Sequence, residues 1–60
     1  MFAHDELVKL ALFCAQQAGS AISKDVAYRS WRMAVQYRDE AAKLGKQPDI
    51  GERPAHVAET

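Results

Sequence analysis

Residues 14–27 read Cys14-Ala15-Gln16-Gln17-Ala18-Gly19-Ser20-Ala21-Ile22-Ser23-Lys24-Asp25-Val26-Ala27, and the break at Gly19-Ser20 decides the fold. On its N-terminal side, residues 3–18 contain neither glycine nor proline and are dominated by leucine and alanine. Asp5 and Glu6 fall in the first turn, where carboxylates favour the positive end of a helix dipole. These features predict a helix over about 3–18. Gly19 is the expected left-handed residue after its last turn. Ser20 or Ser23 can cap the next helix; Ser23 is preferred because Asp25 then lies in the first turn. The second helix is expected over about 24–44, again free of glycine and proline, with Gly45 ending it. Two helices joined by roughly five residues make an antiparallel hairpin. The expected fold is all-α, with the hairpin over 1–45.

Beyond Gly45 the chain changes character. Pro48, Gly51 and Pro54 interrupt any periodicity over 46–60, and only Ile50, Val57 and two alanines offer apolar surface. This segment reads as an irregular tail, with one short helical turn over 54–59 led by Pro54, since proline is tolerated at the first helical position.

Sixty residues with 8 Lys+Arg, 8 Asp+Glu and one cysteine exclude two domains, a disulfide scaffold and a nucleic-acid binder that works by bulk charge. Cys14, His4 and His56 do not stand at zinc-site spacings, so no metal or cofactor is expected. The apolar run Leu7–Ala15 is too short to cross a membrane and contains Lys9, and the acidic start His4-Asp5-Glu6 does not suit a signal peptide. A cytoplasmic protein is the expected class. No nucleophile–base pair, paired carboxylates or phosphate loop is present, so the chain is not expected to be an enzyme.

At ~100° per residue, Leu7, Ala11, Cys14 and Ala18 share one stripe of the first helix. Ala3 and Leu10 widen it on one side, and Val8, Leu12 and Ala15 on the other, with Phe13 beyond a narrow polar strip. In the second helix Ala27, Trp31, Ala34 and Ala41 form the central stripe. Tyr28, Val35 and Ala42 flank it on one side, and Val26, Met33, Tyr37 and Leu44 on the other. Both apolar arcs exceed the width that one partner helix covers. Hiding four or five large side chains is worth on the order of 10 kcal/mol, more than the ~5 kcal/mol that a chain of this size musters alone. The excess predicts association: a homodimer of hairpins closing a four-helix bundle, a hairpin docked on a larger protein, or both. The candidate interface comprises Val8, Leu12, Phe13, Trp31, Met33, Tyr37 and Arg38.

Arg38 sits within the apolar stripe. Pairing about Ser20-Ala21 sets it opposite His4, Asp5 and Glu6, so an ion pair with Glu6 is the preferred reading, and an anchor for a partner's carboxylate the competing one. Trp31 is expected against Leu10 and Ala11, and Cys14 as a buried structural thiol.

Charge is uneven along the chain: residues 3–18 are net −1, 23–46 net +3 and 47–60 net −2. Arg29, Arg32 and Lys43 on one strip are candidate phosphate contacts, which makes an RNA- or DNA-binding hairpin dimer the second hypothesis. Asp25, Asp39 and Glu40 interrupt that strip and favour a solvated face. The acidic tail is the natural mask for it. The preferred function is a small protein–protein interaction module: an adaptor, accessory subunit or inhibitor.

Overall fold

The computed structural model describes residues 2–54 and Val57. Two helices, α1 (His4–Ser20) and α2 (Lys24–Leu44), pack against each other as a hairpin, and the described residues include no strand. The molecule measures 31 × 16 × 15 Å.

The seam is built mostly from small side chains. Leu7, Ala11, Cys14 and Ala18 of α1 are buried against Ala27, Ala34 and Ala41 of α2. The α2 alanines recur every seventh residue, so the same face returns to the seam at each second turn and the backbones can approach closely. No polar or charged side chain is buried among the described residues, and no large side chain is fully enclosed.

α1 runs two residues past the expected stop. Gly19 is inside the helix with an ordinary backbone, and Ala21 ends α1 in an extended conformation. Ser20 assists the extension: its hydroxyl donates back to the carbonyls of Gln16 at 3.2 Å and Gln17 at 3.5 Å. A glycine followed by a back-bonding serine can remain helical because that hydroxyl takes a carbonyl which the left-handed cap would otherwise satisfy. Ser23 holds the N-cap position of α2, as expected, though its side chain makes no capping bond.

Gly45 ends α2 through the surroundings of its backbone. The His4 imidazole lies on it, and a Cβ at position 45 would stand 3.0 Å from the ring. His4 Nε2 also sits 2.7 Å from the Lys46 carbonyl, so the first residue of α1 is clasped to the end of α2.

The tail then folds back. Asp49 Oδ1 accepts a hydrogen bond from the Gly51 N–H at 2.9 Å, and Gly51 takes φ 80°, a left-handed conformation natural to glycine. This turn inserts Ile50 into a cluster with Ala11, Cys14 and Ala34, against which Ala15, Trp31, Val35 and Tyr37 pack. Most of the short turn expected over 54–59 lies outside the described residues. What is described is Val57, which is buried and donates its N–H to the Pro54 carbonyl at 3.0 Å.

Candidate interaction surface

The tail divides the hairpin into two flanks. On one flank, residues 49–52 line a groove of about 400 Å³ together with Leu12, Ala15, Gln16 and Trp31. Here the excess apolar surface expected from the sequence is partly met within the chain. Val8, Ala15, Trp31 and Val35 are half-buried, and Leu12 remains 46% exposed. The acidic tail therefore lies along Leu12 and Trp31, on this flank of the seam.

The other flank is uncovered. Val26, Met33, Tyr37 and Leu44 recur at helical spacing along α2, within an arc of about 40°. Val26, Met33 and Leu44 are 51%, 45% and 57% exposed. Phe13 of α1 is 58% exposed and Phe2, which precedes α1, 49%; the helical angle of Phe13 sets it toward this same flank, and Phe2 lines the groove there. Phe2, Leu7, Met33, Tyr37 and Leu44 line a groove of about 530 Å³, open between the start of α1 and the end of α2.

The seven candidate interface residues thus separate into two groups. Phe13, Met33 and Tyr37 belong to the uncovered flank, and Val8, Leu12, Trp31 and Arg38 to the flank that carries the tail. Phe2, Val26 and Leu44 were not among the candidates. The same helical angles that single out Met33 and Tyr37 also single out Val26 and Leu44.

The expected Glu6–Arg38 ion pair gives way to a different partner. Arg38 Nε and Nη2 stand 3.3 and 3.2 Å from Asp39 Oδ1. Glu6 is exposed and lies about 100° round α1 from the seam, on the uncovered flank, whereas Arg38 sits at the seam toward the tail. Position along the hairpin suits the expected pair, but direction does not. An exposed pair between chain neighbours adds little stability. On the outer face Lys43 Nζ pairs with Glu40 Oε1 at 3.4 Å, one helical turn away.

Arg29, Arg32 and Lys43 are all exposed on the outer face. Arg32 donates to the Tyr28 hydroxyl at 3.2 Å, with its guanidinium 5.8 Å from the ring centroid. Lys43 is about 16 Å along the axis from Arg32, too far to join it on one phosphate. The structure does not bring these three together.

Cys14 is buried in the seam, and burial pushes its thiol up from the ordinary 9.0. His4 is occupied by Lys46 and by Asp5, whose Oδ1 lies 3.8 Å from Nδ1. Among the described residues there is no group of three or more metal-ligating side chains, and no helix is long and apolar enough to cross a membrane. No protein-family model, curated protein or solved structure matches this chain.

Proposed function

We propose that this chain is a small, non-enzymatic, cytoplasmic protein–protein interaction module that self-associates through its apolar flank into a four-helix bundle. It would serve as an adaptor, accessory subunit or inhibitor. One observation carries the reading: Phe2, Phe13, Val26, Met33 and Leu44 stay about half exposed on one flank, while on the other the chain's own tail packs beside Trp31 and leaves Leu12 46% exposed. Completing the burial of five half-exposed side chains is worth on the order of 5 kcal/mol, comparable to all the stability a chain of this size has alone.

Sedimentation equilibrium over a hundredfold range of concentration tests the reading. The expected result is a reversible rise toward twice 6.7 kDa, and a mass that stays at that of one chain throughout overturns self-association. The second reading, a nucleic-acid-binding hairpin dimer, draws on Arg29 and Arg32, which are exposed one helical turn apart. It requires salt-dependent binding of labelled RNA or DNA at low ionic strength, and its absence removes that reading.

A further inference from the structure

The uncovered stripe of α2 has an internal symmetry. Val26 and Leu44 are equidistant in sequence from Val35, and so are Met33 and Tyr37. An antiparallel second α2, related by a two-fold axis level with Val35, therefore sets Val26 against Leu44 of the second copy and Met33 against Tyr37 of the second copy.

The polar margin of the stripe obeys the same relation. Arg29 and Glu40 lie on one edge of it, both exposed, and almost equidistant from Val35. In the antiparallel pairing each Arg29 meets Glu40 of the second copy, which gives two equivalent ion pairs. Asp25 and Lys43 stand in a similar relation further out. A parallel pairing would instead set each charge against its own like.

The geometry of the bundle agrees. The stripe lies about 80° round α2 from the alanine seam, near the right angle between neighbours in a square four-helix bundle. Ala11 and Cys14 share one buried cluster with Ala34, which places this turn of α1 beside the level of the axis. The same two-fold then brings Leu10 of α1 against Phe13 of the second copy. Completing burial of the half-exposed side chains removes roughly 500 Å² from each copy, or about 1,000 Å² in all, the lower bound for a specific interface.

We infer that two copies of this chain pair antiparallel through Val26, Met33, Tyr37 and Leu44 of α2, with Arg29 of each held by Glu40 of the other. This inference rests on the self-association proposed above and specifies its face, direction and register.

Charge exchange tests it. Arg29→Glu and Glu40→Arg are each measured by sedimentation equilibrium, alone and as an equimolar mixture with one chain tagged. Each variant alone juxtaposes like charges and is expected to dimerise about tenfold more weakly than the wild type. The mixture restores both pairs and is expected to form mixed dimers at wild-type strength, which also shows that each variant is folded. A wild type that dimerises while neither exchange matters overturns this pairing and leaves self-association standing. Weakened variants whose mixture fails to recover likewise overturn the pairing. A wild type that is monomeric throughout overturns both.

Discussion

A methyl group added at Gly19 and one added at Gly45 meet different fates. At Gly19 a Cβ meets open space within an ordinary helical backbone. Gly19→Ala should therefore stabilise the chain by about 0.5–1 kcal/mol, read as a higher urea midpoint. At Gly45 the Cβ would press on the His4 ring at 3.0 Å. Gly45→Ala should displace the imidazole, break its contact with the Lys46 carbonyl and lower stability by about 1 kcal/mol. Cys14 supplies a pH dependence. Its folded-state pKa lies above the unfolded value, so the folded chain retains a proton that the unfolded chain has lost. The resulting stability is complete below pH 9 and falls as pH rises beyond it. Urea midpoints of wild type and Cys14→Ala, compared from pH 8 to pH 10.5, should show the steeper fall in the wild type.

For the elements, most of what positions the flanks was readable in the chain. The heptad of Ala27, Ala34 and Ala41, the stripe of Leu7, Ala11, Cys14 and Ala18, and the bounds of α2 follow from periodicity and from Gly45. Three features did not. Gly19 stays helical because Ser20 bonds backward, and glycine composition alone carries no trace of that. The His4 clasp joins chain positions distant in sequence, so no local pattern announces it. Position along the hairpin matches Arg38 to Glu6, whereas direction around each helix decides the partner. The seam should be intolerant of volume. Ala34 is fully buried, and Ala34→Leu should push the helices apart and cost about 1–3 kcal/mol, measured by urea denaturation.

On the scale of the whole molecule, the tail functions as a third packing element although it has no regular structure before Pro54. Ile50→Ala should destabilise the chain by about 2–4 kcal/mol, a large fraction of its stability, in the same denaturation measurement. Removing residues 47–60 should uncover Trp31 and Leu12 and shift the tryptophan emission to longer wavelength; an unchanged spectrum would show that the tail does not shield the indole. Calorimetry reads the small side chains of the seam directly. Because the helices meet mostly through small side chains and no large side chain among the described residues is fully enclosed, melting a single subunit wets little hydrocarbon that was dry before. Its heat-capacity increment should fall below the usual ~12–15 cal/mol/K per residue, and its melting should be shallow and broad. Pairing of two copies would dry the larger side chains, raising that increment and sharpening the transition as the protein is concentrated.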